Sequence, residues 1–259
     1  MEYSGFQKSS VREAVGTWFQ SPNWVGNLLW LSLAGLTSSF FVGLIGLFGY
    51  GSELIEKRAG RPDKPTPDID ANRLGDYFTK GIWPFLVYLT VQLVVGFCVV
   101  LPVGVLFVLS MFASGEIDSE VFTGFALAAG GLVSTLISLL VYVVASPFIV
   151  RSMVCQDFAK SFDWEWAMDF LAKMKFELLW SALKYSVLSL IIGLIGTLLF
   201  CIGSIPAQGI ILGGMVHLSA QWYEIYLNRG GIPIEPPPQS TVHSESVDLD
   251  VVDAEILDD

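Results

Sequence analysis

Apolar residues in this chain come in long blocks, not in short amphipathic stripes. Five runs stand out, at residues 24–51, 81–112, 121–150, 178–203 and 205–227. Each reaches the ~20 residues that a helix needs to cross ~30 Å of hydrocarbon. Polar stretches separate them. Residues 1–23 are polar and mixed, and Ser21-Pro22-Asn23 reads as a helix start. Residues 113–120 form a short acidic loop, 151–177 are charged and amphipathic, and Gly203-Ser204-Ile205-Pro206 splits the last two runs. The pattern predicts an all-α polytopic membrane bundle with one interfacial amphipathic helix. Its parts are a polar N-terminal segment (1–23), a membrane domain (24–228) and a disordered acidic tail (229–259). The first run starts late, is long and lacks a small-residue cleavage site, so it reads as a membrane segment and not as a signal peptide.

Composition points the same way. Hydrophobic residues make up 53% of the chain and charged residues 15%, with a mean hydropathy of +0.60. Soluble domains carry about 25% charge, so a soluble globular enzyme is excluded. The formal net charge is −11, yet residues 235–259 hold eight acids and no Lys or Arg, which leaves the rest near neutral at −3. No basic stripe exists to neutralise phosphates, so nucleic acid is not expected as a partner.

Lys and Arg in short loops set orientation. Residues 52–80 carry Lys57, Arg58, Arg61, Lys64, Arg73 and Lys80; residues 151–177 carry Arg151, Lys160, Lys173 and Lys175; the C-terminal segment carries Arg229. The intervening loops carry none. The alternation places 52–80, 151–177 and 228–259 in the cytoplasm, with 113–120 and 203–206 outside, in a cell (inner or plasma) membrane. Lys8 and Arg12 break the pattern. If residues 24–51 cross once, they lie outside. If the run turns back at Leu36-Thr37-Ser38-Ser39 as a re-entrant hairpin, they lie inside. Non-helical backbone at that depth must be shielded by protein.

The first third is distinctive. Ser21-Pro22-Asn23-Trp24 opens an apolar stretch ending in Gly49-Tyr50, and an amphipathic Glu53-Leu54-Ile55-Glu56-Lys57-Arg58 follows. Then come Gly60, Thr66-Pro67-Asp68-Ile69-Asp70, and Asp76-Tyr77-Phe78-Thr79-Lys80-Gly81. Later elements are Phe158-Ala159-Lys160-Ser161-Phe162-Asp163 and Ala220-Gln221-Trp222-Tyr223. This order, over roughly residues 20–228, resembles the domain of unknown function 4013 family. The resemblance implies a multi-pass membrane protein of bacteria or archaea, with no assigned reaction and no catalytic residue. Two departures are visible. The family's Leu-Pro-acidic-Trp element lacks its Trp at Thr66-Pro67-Asp68-Ile69, and its mid-run proline is replaced by Thr37-Ser38-Ser39.

Five features are candidates for function. The loop 60–81, with Pro62, Pro65 and Pro67, is either a cytoplasmic docking loop or a stiff connector. The segment 161–176 carries Trp164, Trp166 and Phe170 among charges, which suits an interfacial helix or a lid over a lipid entrance. Asp163 and Glu165 are two apart on a helix and face different ways, so they make a poor acid–base pair. Four polar side chains fall within apolar runs: Gln92, Lys184, His217 and Gln221. Such groups are costly in hydrocarbon and often functional. Lys184 lies seven residues past Glu177, about 10 Å of helix, within snorkelling reach of the headgroups. His217 and Gln221, at i and i+4, share a face that either bonds a neighbouring helix or lines a polar path. The apolar cores are expected to hold no carboxylate, which argues against an ion-coupled pump.

Glycines recur at 43, 46 and 49, at 193 and 196, and at 209 and 213; they suit helix packing within one chain or a homo-oligomer seam. Pro84, Pro102, Pro147 and Pro206 are expected to kink or end helices. The tail after Pro236-Pro237-Pro238 alternates acids and aliphatics and could add a strand to a cytoplasmic protein partner through residues 236–259. Cys98 and Cys201 read as small buried hydrophobes. No CxxC, HExxH or Ser/His/Asp order is present, so no cofactor, metal or catalytic site is expected. The sequence therefore points to a non-enzymatic membrane protein that organises partners through cytoplasmic loops and tail, or else to a small-molecule or lipid transporter.

Overall fold

The computed structural model describes residues 8–58, 66–102, 104–105, 108–109, 137, 140–199 and 203–236. The acidic loop 113–120, Cys201 and the tail beyond residue 236 lie outside these. Among the described residues all regular structure is helical. In chain order the helices are α1 (Val11–Gln20), α2 (Trp24–Thr37), α3 (Val42–Arg58), α4 (Leu74–Val95), α5 (Leu140–Cys155), α6 (Phe158–Ser161), α7 (Trp164–Leu198) and α8 (Ser204–Asn228).

Local chemistry fixes several helix starts. The Ser10 hydroxyl accepts the Glu13 N–H at 3.2 Å and opens α1. Asp157 and Asp163 do the same for α6 and α7, accepting the Lys160 and Trp166 N–H groups at 3.0 and 3.1 Å. These are N-caps, each satisfying one donor that the helix cannot pair itself. Pro206 falls in the first turn of α8, where a missing N–H costs little.

The first apolar run is not one helix. It breaks where the sequence offers Thr37-Ser38-Ser39, through a 3₁₀ turn at Ser38–Phe40 and Phe41 with φ of 65°. The Ser38 hydroxyl donates to the Gly35 carbonyl at 2.6 Å, and Gln208 of α8 donates to Ser38 at 3.0 Å. The turn's polar groups are thus satisfied by protein, which is what a break within an apolar segment requires. A single helix over 24–51 does not describe this segment.

Glycine lets four helices meet backbone to backbone. A Cβ at Gly43 would collide with the Ala34 carbonyl across the hairpin, one at Gly209 with the Leu31 carbonyl, and one at Gly49 with the Tyr77 carbonyl. So α2 lies on α8, and α3 lies on both α2 and α4. Gly213 is pressed by Leu31 and Trp18, and Gly196 by Ala207 and Gly203. The glycines at 43, 49, 196, 209 and 213 are therefore consumed inside the chain, while Gly193 and Gly46 meet open space.

The amphipathic segment and the fourth run form one continuous 35-residue helix, α7. The expectation of a separate interfacial helix over 161–176 is corrected here. Trp166, Phe170 and Met174 are fully buried against α8 rather than laid on a surface, with the Trp166 and Phe170 rings about Tyr226 at 5.2 and 4.9 Å. Their spacing of four places them on one stripe.

Large apolar side chains cover much of the outside. Phe40, Phe176 and Leu198 are each nearly four-fifths exposed. Cys98 is exposed on this apolar outer face, where burial was expected. Two helical stretches, Ala71–Cys98 and Phe158–Leu198, are long and apolar enough to cross a membrane, and only 22% of each apolar window is buried. A soluble protein would cover such a surface.

Adding a methyl at Gly49 should cost about 1–3 kcal/mol, because the backbone on the far side is rigid. Gly49→Ala should therefore lower the midpoint of thermal unfolding in detergent, while Gly193→Ala should leave it unchanged or raise it. Equal effects of the two would contradict this packing.

Candidate functional site

The charged residues converge at one end of the bundle, where α3, α5 and α8 finish and α4 and α7 begin. At the end of α3, Glu53 has a nearly buried side chain and pairs with both Lys57 and Arg73. One turn on, the Arg58 guanidinium meets Glu224 of α8 at 2.8 Å, with both side chains at most 10% exposed. Peripheral pairs follow: Lys80 with Glu56 at 2.6 Å, Arg151 with Asp163 at 2.7 Å, and Lys173 with Asp169 at 2.8 Å. The exposed pairs contribute little each. Arg58–Glu224 is different, since stranding one buried charge costs several kcal/mol. Glu224 is the carboxylate that the apolar pattern of the last run conceals.

The N-terminal segment is bound into this end. The Ser9 amide and hydroxyl donate to Glu177 at 2.8 and 2.5 Å, and Arg229 holds the other Glu177 oxygen at 3.3 Å. Gln221 clasps the backbone of Ser10, accepting its N–H at 2.8 Å and donating to its carbonyl at 3.3 Å. One turn before it, His217 sits 3.4 Å from the Tyr50 hydroxyl, under the edge of Trp18 at 4.7 Å between ring centres. His217 and Gln221 thus share a face, as their spacing requires, and α1 covers it. The other two polar candidates lie apart. Gln92 is exposed on α4. Lys184 is exposed on α7, and its ammonium bends back over Trp180, 5.6 Å from the ring centre.

A strap, residues 66–73, closes the space between α2, α3 and α4. The Asn27 side chain donates to Asp68 at 2.7 Å and accepts the Ile69 N–H at 3.2 Å. Tyr50 donates to the Pro67 carbonyl at 2.8 Å, and Tyr77 accepts the Asp70 N–H at 3.4 Å. Thr17 of α1 bonds Thr66 at 3.0 Å. Of the two readings of the 60–81 loop, the described part is an anchored connector; residues 59–65 lie outside the described set. Sequence reasoning missed Asn27, Tyr50 and Glu177, whose only signal is a polar group beside an apolar run.

Beneath the strap lies a cavity of about 160 Å³ between α2, α3 and α4. Trp30, Leu33, Val42, Gly46, Ile69 and Phe78 are among its walls. At the same end, residues 229–236 fold back over α7, where the Trp166 indole donates to the Ile232 carbonyl at 3.0 Å and the Tyr223 hydroxyl accepts the Ile234 N–H at 3.0 Å. Among the described residues no cluster of three or more His, Cys, Asp or Glu side chains could hold a metal.

Removing one member of the buried pair should be severe. Arg58→Ala or Glu224→Ala alone should cost about 3–5 kcal/mol, whereas Arg58→Met with Glu224→Leu should cost much less than the sum. Denaturant titration in micelles measures this. Additive losses would show that the two charges do not depend on each other.

No curated protein and no solved structure matches this chain. The family described as protein of unknown function (DUF4013) matches residues 32–201, roughly two thirds of the chain. The matched stretch holds the α2–α3 turn, the strap, α4 and all of α7, and it stops short of α8, which carries His217, Gln221 and Glu224. The hairpin, the strap and the long apolar helices are features of a chain that belongs to the DUF4013 family.

Proposed function

We propose that this protein is a non-enzymatic, multi-pass membrane protein of the cell membrane that presents its charged end, together with the acidic tail, to a protein partner in the cytoplasm. The observation that carries the reading is the convergence of distant segments on that end. Ser9, Arg73, Glu177 and the Glu224–Arg229 end of α8 come from four parts of the chain and are held there by ion pairs and charge-assisted hydrogen bonds. Ion pairing of this kind fixes these segments against one another, and the Arg73 and Arg229 side chains stay about one-third exposed there. Rigid presentation lowers the entropic cost of association. The tail from residue 236 leaves from this same end, so a basic partner could engage it and the face together, and linkage would raise the effective concentration of the second contact.

The reading carries a topology. Lys and Arg excess places the charged end in the cytoplasm. The anchoring of Ser9 beside Glu177 and Arg229 supports an N-terminal segment on that same side, with α2 and α3 entering and returning. A second reading, a transporter for a small molecule or lipid, draws on the cavity beneath the strap. It is weaker, because His217 and Gln221 are occupied in holding α1.

Two measurements test this. With Cys98, Cys155 and Cys201 replaced by serine, a cysteine at Lys8 or Glu235 should stay unlabelled by an impermeant maleimide in intact cells, and one at Ser114 should be labelled. Labelling at Lys8 or Glu235 from outside would reverse the topology. Deleting residues 237–259 should remove specific proteins from a crosslinked pull-down of the membrane-embedded chain; an unchanged set of captured proteins would sink the tail's role.

A further inference from the structure

Three glycines of α3 sit at the same spacing and have different neighbours. Gly43 and Gly49 are pressed against the Ala34 and Tyr77 backbones, where a side chain cannot fit. Gly46, between them, has no heavy atom within 4 Å of where its Cβ would be. Gly46 therefore does not serve helix packing. It opens onto the cavity of about 160 Å³ between α2, α3 and α4. A cavity of about 150 Å³ lined by aliphatic and aromatic groups stays dry and takes up an apolar molecule the size of benzene.

The walls exclude a polar ligand. Three hydroxyls line the space, those of Thr37, Tyr50 and Tyr77. Each is already engaged: Thr37 donates to the Leu33 carbonyl at 2.7 Å, Tyr50 to the Pro67 carbonyl, and Tyr77 accepts the Asp70 N–H. The remaining walls are carbon and indole. Ile69 of the strap is buried and stops the end nearest the charged cluster. At the side, Leu33, Val42 and Phe78 are 47%, 44% and 38% exposed, and they border the outer apolar face that also carries Leu29, Leu36 and Phe40. The opening is rimmed by apolar side chains that belong to the surface facing hydrocarbon.

We propose that this cavity seats the end of one acyl chain of a bilayer lipid, which enters sideways between α2 and the start of α4. The inference rests on the membrane reading above in one respect, that the medium at the opening is hydrocarbon. The acyl chain follows from the position of the opening. Lipid tails are the molecules present there at high concentration, and insertion restores the dispersion contacts that an empty cavity forfeits. Glycine at 46 keeps the space open, since any larger residue would occupy it from the α3 side.

The test uses the full chain reconstituted in phosphatidylcholine vesicles containing a phospholipid with a diazirine at the tip of one acyl chain. After photolysis, adducts mapped to single residues should fall on two sets: the outward apolar residues of α7, which report ordinary lipid contact, and Trp30, Ala34, Leu47 and Leu74, which line the cavity and are not exposed. Gly46→Phe should reduce the second set by about tenfold or more and leave the first unchanged. Gly46→Leu should reduce it in part, and Gly193→Phe, in open space on α7, should leave it intact. Thermal unfolding of each variant in micelles establishes that it is folded, and filling the cavity is expected to raise the midpoint. Equal labelling of the cavity residues in the native chain and both folded Gly46 variants would overturn the proposal. So would adducts on α7 alone. Adducts nowhere, with release of the chain from membranes by alkali, would overturn the membrane reading itself.

Discussion

Backbone contact across glycine is the constraint on which this fold depends. Helices usually sit 8–10 Å apart, with side chains filling the gap. Here α2, α3, α4 and α8 approach until a single methyl at Gly43, Gly49 or Gly209 would strike a carbonyl. Between apolar helices in an apolar medium no hydrophobic force drives association, so close van der Waals contact must supply it. The approach has a second effect. Helices this close leave no room for polar side chains in the middle, so the polar groups gather where the helices end. Arg58, Glu53, Glu224, Gln221 and Glu177 all occupy that margin.

The charged end and the apolar body therefore solve one problem from two sides. Buried charge is expensive, and the Arg58–Glu224 pair is tolerated because each group has its partner in place. The strap and the N-terminal segment then cover the seam with hydrogen bonds, from Asn27 to Asp68 and Ile69, and from Gln221 to Ser10. The cavity beside Gly46 lies in the apolar body, one turn from this margin, and no hydroxyl in its walls is left unengaged.

Much of this was legible in the residues, for identifiable reasons. Apolar runs announce helices because nothing else satisfies a backbone in hydrocarbon. At Leu36-Thr37-Ser38-Ser39 the sequence left a turn and a single crossing both open, because whether short hydroxyl side chains bond the backbone locally, as Ser38 does with Gly35, is settled by the fold. The pairing of His217 with Gln221 followed from a spacing of four. Other features stayed hidden because they depend on distant partners. Nothing near Ser9 or Ser10 in sequence names Glu177 or Gln221. Glu224 reads as the frayed end of an apolar run until Arg58 is placed beside it. The continuity of α7 was obscured because its charged first half and apolar second half look like two elements, though no residue between them stops a helix. Glycine spacing was visible, but only the neighbours show that Gly43 and Gly49 pack while Gly46 does not.

The clasp of Ser10 by Gln221 has a consequence in time. The ribosome releases the chain from its N-terminus at about 5–20 residues per second. Residues 8–20 emerge well before Glu177, Gln221 and Arg229, which hold them. Throughout that interval Trp18, which ends up almost wholly buried, has no seat beside Gly213 and His217. The contact joins an earlier-made part of the chain to a much later one, so this end can close only after everything between them has been synthesised.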